Sequence, residues 1–182
     1  MQFLRAFVVI TAILGTISSC SQAQDAPAQP SSYHGIVLPS PEPLKGFPSD
    51  FQLPPVWLLA GTGAVLATPG TFQYKGASAI ATAPHLIGNL ATSMVPAQQP
   101  VRCIIASTMV AAVQAHTSNW VGASESGEAV NTHELTIRTT LDGQFTVVTL
   151  EPLTNDRDHL LVIKVTFGEG TVHYMWRLNP VQ

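Results

Sequence analysis

From Pro55 to the C-terminus, apolar residues come in short runs or strict alternation, separated by Gly, Pro, Asn and Asp. The pattern is clearest at the end of the chain. Leu135, Ile137 and Thr139 alternate with Thr136, Arg138 and Thr140, and Phe145, Val147 and Thr149 resume the alternation beyond Asp142-Gly143. A period of two marks a strand with one buried face. Asp142-Gly143 predicts a tight hairpin of type I′, because both residues tolerate positive φ. Leu161, Ile163, Val165 and Phe167 then point one way, with Val162, Lys164 and Thr166 the other. After Gly168-Glu169-Gly170, the residues Val172, Tyr174, Trp176 and Leu178 alternate with His173, Met175 and Arg177. They predict a closing strand with the first set in the core.

The earlier half is less regular. Val56–Ala60, Ala64–Ala67, Thr71–Tyr74, Leu90–Val95 and Val101–Ala106 read as strands between turn residues. Met109–Ala115 fits a helix by its alanines and a strand by its shortness and context; strand is preferred. The sum is an all-β domain of about 8–9 short strands with turn signals every ~10 residues, the signature of an antiparallel β-sandwich. It resembles the immunoglobulin-like sandwiches in architecture only, since the Cys…Trp…Cys spacing of antibody domains is absent.

The N-terminus departs from this pattern. Arg5 is followed by twelve uncharged, mostly apolar residues, Ala6 to Ile17. That suits the apolar region of a signal peptide and falls short of the ~20 residues needed to span a bilayer. Ile17-Ser18-Ser19-Cys20 follows directly and resembles the bacterial lipobox: a branched apolar residue, two small residues, then cysteine. The resemblance implies that Cys20 becomes the acylated N-terminus of a bacterial lipoprotein, held by its lipid on the extracytoplasmic side of the cell envelope. Ser21-Gln22-Ala23 leaves a second route open, secretion after cleavage following Ala23. On this reading residues 1–20 are the signal peptide. Residues 21–52, dense in proline and without periodicity, form a disordered tether, and residues 53–182 form the globular domain. Phe47 and Phe51 are the tether residues suited to docking on that domain.

The formal charge is −3, and losing Arg5 with the leader takes it to −4. There is no basic stripe to neutralise phosphates, so nucleic acid is not expected as a partner; no nucleotide-binding motif stands out either. Charged residues are 10% of the chain, against ~25% in ordinary soluble domains, so the surface takes its polarity from Ser, Thr, Gln and Asn. Cys20 and Cys103 are the two cysteines. With Cys20 acylated or removed, Cys103 has no partner, and no intrachain disulfide is expected.

Residue chemistry points to no reaction. His34, His85, His116, His133, His159 and His173 show no metal-binding spacing, and His133-Glu134 places two ligands on opposite strand faces. Asp156 and Asp158 beside Asn155 read as a turn. Gly122-Ala123-Ser124-Glu125-Ser126-Gly127 misses the nucleophile-elbow pattern by one residue. Cys103 sits among Val101, Ile104 and Ile105 and reads as an inert core thiol. No cofactor, metal or enzymatic activity is expected. Ser118–Asn131 has no periodicity and reads as a long loop, the candidate binding loop, carrying Trp120, Glu125 and Glu128. The expectation is an exported, membrane-anchored binding or structural module whose partner is an envelope protein or a glycan. The alternative is a small extracytoplasmic hydrolase with a loop-assembled site.

Overall fold

The computed structural model describes residues 30–80, 90–121, 128–153 and 158–181, with backbone alone for Glu128. Among them the chain forms β-strands and no helix. Five strands make a small antiparallel sheet: β3 (Val56–Ala60), β4 (Gly63–Leu66), β8 (Val101–Ile105), β11 (Ile137–Asp142) and β12 (Phe145–Leu150), in the order β11-β12-β8-β3-β4.

A larger sheet runs β10-β9-β13-β14-β5-β6, built from β5 (Thr68–Tyr74), β6 (Ala77–Ala79), β9 (Val110–Val121), β10 (Glu128–Glu134), β13 (His159–Phe167) and β14 (Gly170–Val181). Strand β14 is long enough to take two neighbours on one side. Its first half pairs with β5 as far as Met175. Beyond that, Arg177 to Val181 pairs in parallel with β7 (Thr92–Pro96).

The two sheets bury their facing sides in one apolar cluster. The small sheet supplies Val56, Leu58, Cys103, Ile105, Val148 and Leu150; the large one supplies Leu161, Ile163, Val165, Val172, Tyr174, Trp176 and Leu178. The alternation of β13 and β14 is the cause, because every second residue of a strand meets the same side. Each fully buried large apolar side chain contributes about 1.5–3 kcal/mol. The residues expected to face the core from the closing strand do so, with Trp176 at 3% and Tyr174 at 1% exposure. Met109–Ala115 resolves as strand, falling largely within β9.

The structure corrects four expectations. Fourteen strands are seen among the described residues, more than the 8–9 predicted; several of the extra ones are only two to four residues long and leave little periodic signal. The hairpin at Asp142-Gly143 closes one residue later. Asp142 pairs with Phe145, so Gly143-Gln144 is the turn. Positive φ occurs at Gly143 (+59°) and not at Gln144, the II′ pattern rather than I′.

The described part of the expected tether, residues 30–52, is not a free spacer. It opens with a hairpin of β1 (Ser32–Tyr33) and β2 (Ile36–Val37), turned through His34-Gly35 with both φ positive. Tyr33 and Leu38 then cover Trp57, Ile104, Phe145 and Val147 on the outer face of the small sheet. Finally, the described part of Ser118–Asn131 is strand, with 122–127 outside the described residues. Ser118 to Val121 ends β9 and Glu128 begins β10, with Val121 opposite Glu128 and Trp120 opposite Ala129.

Candidate binding cleft

Residues 39–55 form a strap that leaves the outer face of the small sheet and returns to the core. Trp57 Nε1 donates to the Pro39 carbonyl at 2.9 Å and fixes its first end. Two tight turns follow, with Phe47 N donating to Leu44 O at 3.2 Å and Phe51 N to Pro48 O at 3.0 Å. They bring both rings to Phe72: the Phe47 and Phe51 centroids are 5.0 Å apart, and they lie 5.4 and 5.9 Å from Phe72. Tyr174 then donates its hydroxyl to the Pro54 carbonyl and fixes the other end. Proline suits such a strap, because its fixed φ and missing N–H leave little to lose when the chain is extended away from a sheet.

Beneath the strap lies a cleft of about 430 Å³. Its buried floor includes Pro55, Val56 and Tyr174, and its exposed rim carries Glu42 and Lys45. An apolar floor with a few polar groups at the mouth is the ordinary form of a small-ligand or peptide site. Burial, and then the neighbouring Tyr74, push the Tyr174 hydroxyl above its usual range. It stays protonated, and its proton is directed at Pro54, so in this arrangement it serves as a structural donor and not as a base.

Of the residues singled out in the sequence, Cys20, His85, Ser124, Glu125, Asn155 and Asp156 lie outside the described residues, and only the backbone of Glu128 lies within them. Trp120 is on the outer face of the large sheet, away from the cleft. The residue is 7% exposed and packs with Leu160, Val162 and Met175. Its backbone N–H donates to the Asp158 carbonyl at 2.9 Å. Trp120 is therefore an apolar packing residue, not an open contact ring.

The same outer face carries polar groups. Arg177 Nε donates to Asp158 Oδ2 at 2.9 Å, and Asn179 Nδ2 donates to Asp158 Oδ1 at 2.9 Å. Burial lowers the imidazole pKa of His116, against an opposing pull from Glu134. Burial also lowers that of His173, with Lys164 and His116 adding to the effect. Both rings are thereby kept neutral near pH 7.

The other described histidines do not converge. His159 is buried, with Nδ1 3.3 Å from Thr117 Oγ1, while His34 and His133 are exposed. Among the described residues no three His, Cys, Asp or Glu side chains are grouped to hold a metal ion. Cys103 is buried, and burial pushes its thiol up far enough to suppress the thiolate.

Sequence reasoning missed the cleft because its walls come from residues 40–45, 51–56, 66–69 and Tyr174, which share no motif. The available signal was the pair Phe47 and Phe51, whose docking closes the strap. No protein-family model, curated protein or solved structure matches the chain.

Proposed function

We propose that the protein is an exported, lipid-anchored binding module of the bacterial cell envelope, with the cleft under the strap as its binding site. The observation that carries the binding role is the cleft itself: an apolar floor, a proline-rich wall, and one acid and one base at the mouth. Such a lining suits an uncharged or zwitterionic segment of an envelope protein, which would bury apolar groups against Pro55 and Val56 and meet Glu42 and Lys45 with polar ones. The location rests on Ile17-Ser18-Ser19-Cys20 at the end of the apolar leader. The finer reading of the architecture is a sandwich of immunoglobulin-like kind, supported by the single core cluster between the two sheets.

Two measurements test this. In the first, cells are fractionated: the wild type belongs in the membrane fraction and Cys20→Ser in the soluble one. A wild type already soluble rejects the anchor. In the second, a photoreactive residue is placed at Lys45 on the rim, or at Arg102 on the small sheet, in the full chain. Discrete adducts with an envelope component from Lys45 and not from Arg102 support the cleft as the site. Equal adducts from both, or none from Lys45, reject it.

A further inference from the structure

We propose that β11 is a self-association edge, pairing antiparallel with β11 of a second copy about a two-fold axis at Thr140. This goes beyond the binding role and does not depend on it.

The small sheet ends at β11. The hairpin closing at Asp142 and Phe145 makes the even-numbered residues of β11 the ones that bond to β12. Glu151 N donating to Thr136 O at 3.1 Å continues the same parity. The backbone N–H and C=O groups of Ile137, Thr139 and Leu141 therefore face outward, away from β12. Arg138, Thr139 and Thr140 are exposed, and Leu141 is 67% exposed.

Exposed edges are normally blunted by shortness, a bulge, proline or lysine. The other edges among the described residues show these devices. Strand β10 has a register shift between Val130 and His133, β4 has four residues, β6 has three, and β7 ends in Pro96. By contrast, β11 keeps register with β12 through six successive pairs and contains neither proline nor lysine. Its two threonines and one isoleucine favour an extended chain.

Charge selects the register. Outward groups meet outward groups in any register centred on a residue, and only a two-fold axis at Thr139 or at Thr140 pairs five of the six residues of β11. With the axis at Thr140, Arg138 lies directly opposite Asp142 of the second copy, twice per interface. With the axis at Thr139, Arg138 faces Thr140 instead. Arg138 takes no part in the ion pairs seen among the described residues. Tyr33 and His34 both engage Asp142 through Oδ2, which leaves Oδ1 for the incoming guanidinium.

On the opposite face of the strand, the Thr140 axis puts Leu141 of the second copy against Thr139. There it lies over a groove of about 300 Å³ whose lining mixes Val110, Val113 and Leu141 with Thr108, Thr139 and Thr146. The edge thus offers backbone bonds, a reciprocal ion pair and a recess of threonines and small aliphatic side chains to one occupant, its own copy.

The test is cysteine cross-linking of the purified full-length chain under mild oxidation, over a range of concentrations. The parent chain, carrying Cys20 and Cys103 alone, sets the background. Cross-strand neighbours at a two-fold axis lie within disulfide reach. Thr140→Cys is expected to give a linked dimer about tenfold faster than Thr62→Cys in an exposed turn, because pairing raises the local thiol concentration. Adding Arg138→Glu should slow that linkage severalfold while leaving Tm unchanged. Absence of a dimer from Thr140→Cys, equal rates for Thr62→Cys, or preferential linkage through Thr139→Cys would overturn the proposal.

Discussion

The Tyr33 hydroxyl donates to Asp142 Oδ2 at 2.8 Å, tying the first hairpin to the β11–β12 turn across 109 residues of chain. His34 Nε2 lies 2.7 Å from the same oxygen. These hydrogen bonds, that of His34 first, hold the Asp142 carboxyl below its usual range. A carboxyl depressed in the folded state stabilises above its unfolded pKa of ~4, and the contribution is lost as pH falls through the lower, folded value. Asp142→Asn should therefore melt below the wild type at pH 7, and the two Tm curves should converge as pH drops below ~4. Parallel curves would show that Asp142 does not hold the hairpin.

The same hairpin covers a large apolar area. Tyr33 and Leu38 lie over Trp57, which is 1% exposed. A chain beginning at Leu53 loses both, together with Phe47 and Phe51. It should melt well below a chain beginning at Ser21, with a reduced m-value and ANS binding reporting the bared face. Leu38→Ala alone should cost about 2–5 kcal/mol in chemical denaturation. Equal stability of the two chains would return residues 30–52 to the role of a spacer.

How far the sequence foretold this structure depends on whether a residue belongs to a periodic face. Val172, Tyr174, Trp176 and Leu178 alternate without interruption, so their burial was readable. Strand β9 was half hidden. Its core-facing positions include Ala115 and Thr117, while Trp120 lies on the other side. Small and polar residues inside, with an aromatic outside, erase the hydrophobic alternation and make the end of the strand look like loop. The strap was misread for a related reason. Tyr33, Leu38, Phe47 and Phe51 dock singly at irregular spacing among prolines, so composition favoured a tether where geometry gives packing. The cleft left no local trace because its walls meet only in the folded chain.

Trp176 and Trp120 separate the main core from the smaller outer cluster. Trp176 packs between the sheets and donates Nε1 to the Val65 carbonyl at 3.1 Å. Trp176→Ala should cost about 3–5 kcal/mol. Trp120 packs with fewer buried partners, and its Nε1 is buried with no hydrogen-bond partner among the described residues. Losing it removes apolar contacts and no satisfied bond. Trp120→Ala should therefore destabilise by a smaller amount, about 2–3 kcal/mol. Urea unfolding of both variants checks the order. A Trp120→Ala chain as stable as wild type would restore Trp120 as a surface contact residue.

Gly170 is the position least able to accept a side chain. It opens β14 directly opposite Tyr74, with φ at +142°. A Cβ there would fall 2.0 Å from the Gln73 carbonyl oxygen and 2.8 Å from the Tyr74 Cα. Both obstacles are backbone, so no rotamer change relieves them. Room can come only from parting β14 from β5, which breaks ladder bonds and opens the core beside Phe72 and Val172. Gly170→Ala should cost more than the ~1–3 kcal/mol of a strained positive φ alone. Gly143→Ala provides the comparison: its φ is +59° with nothing within 4 Å of the new Cβ, so it carries conformational strain alone. Denaturation midpoints should rank Gly170→Ala well below Gly143→Ala, and hydrogen exchange should rise in β5 and β14 for Gly170→Ala only. Equal midpoints would mean that the β5–β14 seam yields without loss.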